Sequence, residues 1–563
     1  MPRWLLRTDL IPDFLLVALV IPAFFRPRIG DPIFARVERW GAQLSSRRSL
    51  AVLAVALAAI LLRLSLAPFG PLVPVPHVHD EMSYLLAADT FAHGRLANPP
   101  HPMWIFFDTI HVNQHPAYMS KYPPAQGAVL ALGQILGNPW IGVLLSVAAM
   151  CAAMVWMLQG WMPARWALLG GVLMIAGFAA GNYWVDSYWG GAVAAVGGAL
   201  VFGALPRIFR HQRVRDAVLL GVGAAILANS RPFEGLFFFL PVGVALFLWL
   251  VGRRAPSLRI TIPRVVAPLV SVLILTGLFI GYYNWRLTGH PLLFPYILNN
   301  KTYSTTPNFV WQNLQPSLHY ANPQFDDYYN TWMHGIFEQT RFEGLRSGLA
   351  NLYQSKFLAS QKYFRAVEFL LPLLAALPWL VRDRKFWQAF IPFAVCFASM
   401  TTVVWFEPHY AAPLLGALMV ILMQSLRHLR QWKWQGRPIG IGLSRLVVLA
   451  VLATVPFRVA ASNRETENDP SVQQMAYRVK FLKQLESMPG EHLVLVHYSD
   501  EHDVGEEGVY NRADIDGAKV VWARAIPGVD SRPLLDYFRG RTLWIVEADS
   551  DPPQLQRLSP EGH

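Results

Sequence analysis

The chain is poor in cysteine and in charge. Only two of its 563 residues are cysteines, Cys151 and Cys396, and both lie in apolar segments far apart in the sequence. A structural disulfide is therefore not expected, and no cysteine has the spacing of a metal site. Charged residues make up only 15% of the chain. A soluble protein of this size would carry more charge, so the composition does not fit a soluble enzyme.

The N-terminus lacks the features of a cleavable signal peptide. Its apolar stretch, residues 10–25, is interrupted by Pro12, Asp13 and Pro22 and has no clear small-residue cleavage site. The stretch is also too short and broken for a membrane span, and we interpret it as an interfacial or re-entrant helix. Internal repeats are typical of many transporters, and the chain shows none in its sequence.

Hydrophobic residues, by contrast, make up 54% of the chain, and apolar runs of about 20 residues recur along it. This pattern predicts an all-α polytopic membrane protein with about eleven transmembrane helices. The predicted spans are 49–67, 139–159, 166–183, 190–206, 216–229, 233–251, 265–283, 366–381, 386–404, 410–426 and 441–460.

The positions of the basic residues predict how the chain is oriented. A formal charge of +12 would suit a nucleic-acid-binding protein. Most Arg and Lys residues, however, lie in short loops on one side of the predicted spans, which is a topology signal and not a sign of nucleic acid as a partner. Six arginines lie in 26–48, whereas 184–189 and 405–409 carry no Arg or Lys. We therefore expect 26–48 to be cytoplasmic and the long loops 68–125 and 284–365 to be external.

Residues 470–563 are hydrophilic and predict a small external α/β domain. Apolar or alternating runs predict strands at 492–497, 519–523 and 542–547, and helical patterns occur at 473–487 and 531–539. We thus expect three parts: a cytoplasmic or interfacial segment, 1–48; a transmembrane core, 49–460; and the external domain, 470–563.

The first external loop, from His77 to Pro124, carries the densest polar set in the chain. Acids, histidines and one lysine lie between two apolar segments, and such groups at the mouth of a membrane protein indicate a functional site. The set comprises His77, His79, Asp80, Glu81, Asp89, His101, Asp108, His111, His115 and Lys121. Other polar residues map to the same predicted face, namely Asp186, Arg231, Glu234, Asn284, His290, Glu407, His409 and Tyr410.

An apolar bundle with a polar external mouth suits a lipid-linked substrate. A phosphate at the interface needs cations, and Lys121 and Arg231 are available. Sugar transfer from a phospholipid carrier needs a base to take the proton of the acceptor, and Asp80 or Glu81 could serve. The two carboxylates could instead share a metal, with His77 and His79 as further candidate ligands.

These residues resemble bacterial membrane glycosyltransferases of the protein O-mannosyltransferase, or family 39, kind, which have the GT-C fold. Asp80-Glu81 resembles the early acidic motif of that family, and Ser120-Lys121-Tyr122-Pro123-Pro124 resembles its basic stretch before the next helices. Asp186 resembles the second acidic position, and Arg231 and His409-Tyr410 resemble later external strings. The resemblance covers residues 49–460. Four prolines, at 68, 71, 74 and 76, separate the acidic pair from the first span, unlike the family pattern.

The resemblance implies a polyprenyl-phosphate sugar donor, no nucleotide and, in some members, a divalent metal. We therefore predict an inverting glycosyltransferase in a bacterial cytoplasmic membrane that transfers the sugar to an external glycan, lipid or protein acceptor. Asp80 is the predicted base, with Asp186 as a further catalytic carboxylate. Glu81 is the predicted partner of Asp80 or, together with His79, a metal ligand. Lys121, Arg231, His409 and Tyr410 are the predicted phosphate-binding residues. A membrane transporter or flippase of a lipid-linked or small polar substrate is the alternative, and a catalytically inactive scaffold is a third possibility.

Overall fold

The computed structural model describes residues 21, 22, 24–252, 255–346 and 366–558. The predicted interfacial helix at 10–25 falls largely outside these residues, as does the end of the second external loop. The chain is mostly helical, and a small sheet lies near its C-terminus. Within these described residues, seven helices are long and apolar enough to cross a membrane. They are Arg48–Phe69, Pro139–Trp161, Ala192–His211, Pro232–Val251, Leu258–Thr288, Pro408–Gln431 and Ile439–Glu467.

The other four predicted spans coincide with shorter helices. These are Ala164–Phe178, Val214–Ala228, Ala366–Leu380 and Arg384–Met400, with 15 to 17 residues each. They are shorter than the roughly 20 residues that a span needs, so the total of about eleven spans stays a prediction. The predicted fold class, a helical multi-pass membrane protein with a small C-terminal α/β region, is confirmed.

Close backbone contacts hold the centre of the bundle together. A Cβ atom at Gly198 would lie 2.2 Å from the carbonyl oxygen of Pro413, so only glycine allows this approach. Gly198 belongs to the Ala192–His211 helix, and Pro413 belongs to the 3-10 turn Pro408–Leu414, which precedes the Leu415–Gln431 helix. The contact fixes this turn, which carries His409 and Tyr410, against the core of the bundle.

An amphipathic helix, Asp31–Ser46, lies against the predicted cytoplasmic end of the bundle. Glu38 pairs with Arg430 at 2.7 Å and with Arg445 at 3.1 Å, while Ile33 and Trp40 on the same helix are exposed. The charged face is thus paired with the bundle, and the exposed apolar side chains suit the membrane interface.

The first external loop folds into a compact layer over the bundle. It contains the helix His79–Ala92, a 3-10 turn at Trp104–Phe107 and an antiparallel pair of short strands, Val112–Asn113 and Met119–Ser120. The helix Pro124–Ile135 follows directly, with Pro124 in its first turn. A proline fits there because the first turn needs no amide donor from it. The second external loop supplies the helical segments Pro295–Tyr303, Pro323–Asp326, Asp327–Trp332 and Met333–Arg346.

The C-terminal region begins with the helix Pro470–Ser487 and forms a four-stranded sheet. Three parallel strands, Val520–Arg524, His492–His497 and Thr542–Glu547, lie in that order, and Gln554–Arg557 pairs antiparallel at one edge. The short helix Arg532–Tyr537 joins two of them. The predicted strands and helices of this region are confirmed, and the edge strand is an addition.

The sheet is covered on both faces, which explains the continuous apolar run of its central strand. Leu493 and Leu495 point to one face and pack in one cluster with Phe106 and Phe107 of the first external loop. Alternate residues of the same strand pack in a second cluster with the Pro470–Ser487 helix. The C-terminal region is therefore docked on the first external loop through an apolar face.

Candidate active site

Asp80 lies in the first turn of the His79–Ala92 helix, at the centre of the polar layer. One of its carboxylate oxygens, Oδ1, accepts a hydrogen bond from the hydroxyl of Tyr122. The other, Oδ2, lies 3.8 Å from Nε2 of His111. The Asp80 side chain keeps 22% of its surface exposed, so the carboxylate is held in position and can still be reached by a ligand.

Glu81 has a different environment, although it is the next residue. Its side chain is fully buried, and its oxygens accept hydrogen bonds from the backbone amides of His77 at 2.9 Å and Tyr188 at 2.8 Å. Burial raises the pKa of Glu81, while His77 and the backbone amides oppose that rise. Glu81 thus joins the start of the helix to the loop between two spans. These contacts favour a role as the structural partner of Asp80.

His79 is engaged by the C-terminal region. Its Nε2 lies 2.7 Å from the carbonyl oxygen of Val504 and therefore carries the proton, while Nδ1 accepts from the hydroxyl of Tyr510 at 2.6 Å. Burial lowers the pKa of His79, which keeps the ring neutral. Both ring nitrogens have protein partners, so His79 is not free to bind a ligand.

The residues present do not fit a divalent metal. Within the described ranges, no three side chains of the His, Cys, Asp and Glu types gather as a metal site would require. Among the candidate ligands, His79 uses both nitrogens within the protein, and Glu81 uses both oxygens. We therefore derive no chemical step through a metal.

Two cations belong to the same site as Asp80, and each rests on an aromatic ring. Nζ of Lys121 lies 4.9 Å from the ring centre of Tyr296, and Cζ of Arg231 lies 4.0 Å from that of Tyr410. Burial lowers the pKa of Lys121 to about 8, although Asp80 acts in the opposite direction. In the described part of the chain, neither cation forms an ion pair with a carboxylate. The tyrosine faces hold the charges by cation–π contact and leave their N–H donors available to an anion.

Tyrosines form the walls of this site. Tyr84 and Tyr122 stack with ring centres 4.6 Å apart, and Tyr296 lies 6.4 Å from Tyr122. The hydroxyl of Tyr328 lies 3.4 Å from Nε2 of His111. The sequence interpretation did not assign Tyr84, Tyr296 or Tyr328 to the site. They come from separate elements, and the only local sign was the abundance of tyrosine in the second external loop.

Glu407 is a further carboxylate of the site. Burial and the nearby Asp80 raise the pKa of Glu407 to about 7, and Arg231 lowers it. The sequence had assigned Glu407 to the external face but gave it no role. Two residues further along the chain, His409 is buried, with Nδ1 3.1 Å from the hydroxyl of Tyr183. His409 therefore supports the turn beneath Arg231 and Tyr410.

Asp186 pairs with an arginine inside the first span. Its Oδ1 lies 2.7 Å from Nη2 of Arg63, which also donates to the carbonyl oxygen of Leu72 at 3.0 Å. Burial raises the pKa of Asp186, and Arg63 opposes that rise. Among the described residues, no contact joins Asp186 to Asp80, Lys121 or Arg231. The pair neutralises a charge that lies inside the first predicted span, so the contacts of Asp186 favour a structural role.

Comparisons with known proteins give structural likeness only. No protein-family model and no curated protein matches the sequence. The chain is similar to ArnT from Cupriavidus metallidurans bound to undecaprenyl phosphate, with a TM-score of 0.48, 13% identity, and coverage of 88% of this chain and 92% of that one. It is also similar to the oligosaccharyltransferase of Archaeoglobus fulgidus in the apo form, with a TM-score of 0.44, 11% identity, and coverage of 79% and 62%.

A third solved structure is AglB from Archaeoglobus fulgidus in complex with an inhibitory peptide and a dolichol-phosphate. The TM-score is 0.40 at 12% identity, with coverage of 79% of this chain and 62% of that one. The resemblance to the protein O-mannosyltransferase kind in particular stays a prediction.

Proposed function

We propose that this chain is a membrane glycosyltransferase that moves a sugar from a polyprenyl-phosphate carrier to an acceptor outside a bacterial cytoplasmic membrane. One observation carries the proposal: the reachable carboxylate of Asp80 shares its site with two cations, Lys121 and Arg231, and among the described residues neither cation forms an ion pair with a carboxylate. A base next to a pair of cations that can bind an anion is what transfer from a phosphate carrier needs.

The donor phosphate would bind between Lys121 and Arg231. The two side chains come from separate elements, the first external loop and the start of the Pro232–Val251 helix. Each is already oriented by a tyrosine ring, so little side-chain freedom is lost when the phosphate binds. Tyr410 would act by holding Arg231, and His409 by fixing the turn that carries Tyr410. The lipid tail would lie in the membrane beside the bundle.

Asp80 would act as the base. As the acceptor hydroxyl attacks the anomeric carbon, its proton passes to the Asp80 carboxylate. The bond between that carbon and the phosphate oxygen breaks, and its electron pair leaves with the polyprenyl phosphate. Lys121 and Arg231 stabilise the charge that develops on the phosphate. A single displacement inverts the anomeric configuration. The hydrogen bond from Tyr122 keeps one carboxylate oxygen fixed and leaves the other for the acceptor.

The proposal can be tested with purified protein in lipid nanodiscs. Undecaprenyl phosphate is the probe for donor binding, and a panel of undecaprenyl-phosphate-linked sugars is the probe for transfer. Asp80→Asn should lower transfer by roughly 10²–10⁴-fold with little change in lipid affinity, because it removes only proton acceptance. Asp500→Asn, an exposed change in the C-terminal region, is the matched control.

Two outcomes would contradict the proposal. One is normal transfer by the Asp80→Asn variant, which would remove the base from this site. The other is the absence of undecaprenyl phosphate binding by the folded wild-type protein. In that case the transporter or flippase interpretation would lead, and a liposome assay of substrate movement would follow.

A further inference from the structure

A cavity of about 80 Å³ lies at the end of the bundle away from the candidate active site. It opens where the Ala192–His211 helix ends and the Val214–Ala228 helix begins. The other end of the first helix lies beside the turn that carries His409. Its 20 residues place the two sites about 30 Å apart, which is the thickness of the hydrocarbon core of a bilayer. The cavity therefore lies at the opposite membrane interface.

Positive charge dominates the lining of this cavity. Five arginines and one histidine face a single acid, Asp216. Arg48 and Arg213 are exposed side chains that come from separate elements of the bundle. Like charges repel one another, so this convergence costs stability unless an anion lies among them. The cavity has the volume for a small anionic group such as a phosphate.

Two of the arginines are fixed by backbone carbonyls. Arg207 donates to the carbonyl oxygens of Gly203 at 2.6 Å and Trp156 at 2.5 Å, and its guanidinium lies 4.0 Å from the Trp156 ring centre. Arg210 donates to the carbonyl oxygen of Gly160. A guanidinium has five N–H donors, so both residues keep donors for a ligand. Their orientation is set before any anion binds, which reduces the entropy that binding costs.

Asp216 adds a second requirement for the ligand. Its side chain is buried, Oδ1 lies 3.9 Å from Nε of Arg215, and Oδ2 has no hydrogen-bond partner in the described structure. A buried carboxylate oxygen without a donor is unfavourable. A ligand that fits this cavity would therefore carry a hydroxyl close to its anionic group.

We propose that this cavity binds the headgroup of a glycerol-bearing anionic phospholipid, of which phosphatidylglycerol is the simplest. The phosphodiester would lie among the arginines, and a glycerol hydroxyl would donate to Oδ2 of Asp216. Basic cavities between spans at a membrane interface suit such headgroups. This site is separate from the candidate active site, and the proposal stands whether or not the chain transfers sugars.

The test measures lipid binding by native mass spectrometry of the full-length protein, titrated with phosphatidylglycerol or phosphatidylcholine. The double variant Arg48→Gln/Arg213→Gln removes two exposed cations of the cavity. It should weaken phosphatidylglycerol binding by roughly tenfold or more and abolish the preference over phosphatidylcholine. The control Arg259→Gln/Arg264→Gln removes two exposed arginines outside the cavity and should bind as the wild type does. The proposal would be overturned if the two double variants bound phosphatidylglycerol equally well while having the same melting temperature in the absence of lipid.

Two more arms test the chemistry of the ligand. Phosphatidylethanol has the same phosphodiester charge but no headgroup hydroxyl. The wild type should bind it more weakly than phosphatidylglycerol, and Asp216→Asn should reduce that difference. Equal affinities in the wild type would overturn the role of the hydroxyl.

Glycerol 1-phosphate at millimolar concentration should fail to displace phosphatidylglycerol. Displacement would show that the site takes a soluble anion and would overturn the lipid assignment.

Discussion

Nδ1 of His79 lies 2.6 Å from the hydroxyl of Tyr510, although 431 residues separate them in the chain. His79 is the first residue of the helix that carries Asp80 in its first turn. The C-terminal region therefore contacts the residue next to the proposed base, in addition to its apolar packing on the first external loop. The contact therefore lies one residue along the helix from Asp80.

Tyr510→Phe removes this hydrogen bond and keeps the aromatic packing. Nδ1 of His79 would then be buried without a donor, and we expect the first turn of the helix to loosen. Turnover should fall by roughly tenfold, while undecaprenyl phosphate affinity changes less than twofold, because Tyr510 touches Asp80 only through its neighbour. Steady-state kinetics beside lipid titration would separate the two effects.

Tyr537→Phe provides the control for that change. Tyr537 lies on the same region, is 44% exposed, and donates to Asp516 instead of to the first turn of the helix. It should leave both turnover and affinity unchanged. An equal loss in the two variants would mean that the C-terminal region acts through general stability and not through His79.

The ion pair between Arg63 and Asp186 should contribute to the stability of the fold. Asp186→Asn leaves the Arg63 charge buried without its partner, which should lower the free energy of unfolding by on the order of 3 kcal/mol. The double change Arg63→Leu/Asp186→Asn should recover most of that loss. Thermal unfolding in detergent measures both. A catalytic Asp186 would behave differently: transfer would fall while the unfolding temperature of the single variant stayed normal.

The sequence predicted the helices well because a bilayer imposes length and composition on each span. Every predicted span meets a helix, and the alternating strands of the C-terminal region also appear. A helix was expected after Pro124, but Pro124–Ile135 was not counted among the spans because its 12 residues are too few to cross a bilayer. The contacts of this helix with its neighbours depend on how the first external loop folds, and hydrophobic periodicity does not predict that.

The candidate active site was harder to predict because it is assembled from distant loops. Asp80, Lys121 and Arg231 were identified from charge at the predicted external face, where each is unusual. Tyr410, which holds Arg231, was named among the predicted phosphate-binding residues. Tyr296, which holds Lys121, was not identified, since single aromatic residues are common near a membrane interface. Asp186 resembled a catalytic acid in the sequence, but its contact with Arg63 depends on tertiary structure. No local pattern distinguishes those two roles.

Lys121 should make donor binding depend on pH. Its folded pKa of about 8 lies below the ordinary value of 10.5, so the ammonium loses its proton as the pH rises through about 8. Undecaprenyl phosphate affinity should therefore fall between pH 7 and 9. Lys121→Ala should weaken affinity at pH 7 by about one to two decades and remove this pH step. Lys121→Arg should restore part of the affinity without the step. A wild-type affinity that stays flat across this range would exclude Lys121 from the phosphate site.

The orientation of the chain can be tested by cysteine labelling, because Cys151 and Cys396 are fully buried and should stay unreactive. Glu501→Cys in the C-terminal region should react with an impermeant thiol reagent in intact spheroplasts. Gln43→Cys, on the amphipathic helix, should react only after lysis. Both positions are exposed, so access to the reagent depends on the side of the membrane. The reverse pattern would move the candidate active site to the cytoplasmic face and contradict the proposed external acceptor.

The substitution Glu407→Gln should distinguish the role of Glu407 from that of Asp80, the other reachable carboxyl group of the site. The pKa of Glu407 is about 7, so at pH 8 its ionised form lies near the proposed phosphate and repels it. The neutral amide should raise undecaprenyl phosphate affinity at pH 8 by roughly fivefold, about 1 kcal/mol, and should have little effect at pH 6, where the wild-type carboxyl is protonated.

Transfer by the same variant decides which carboxylate is the base. If Asp80 takes the proton of the acceptor, Glu407→Gln should keep turnover within a fewfold of the wild type, because the base is intact. If Glu407 takes it, turnover should fall by roughly 10²–10⁴-fold, and the wild-type rate should rise as the pH increases through about 7. That second result, together with normal turnover by Asp80→Asn, would transfer the role of base from Asp80 to Glu407.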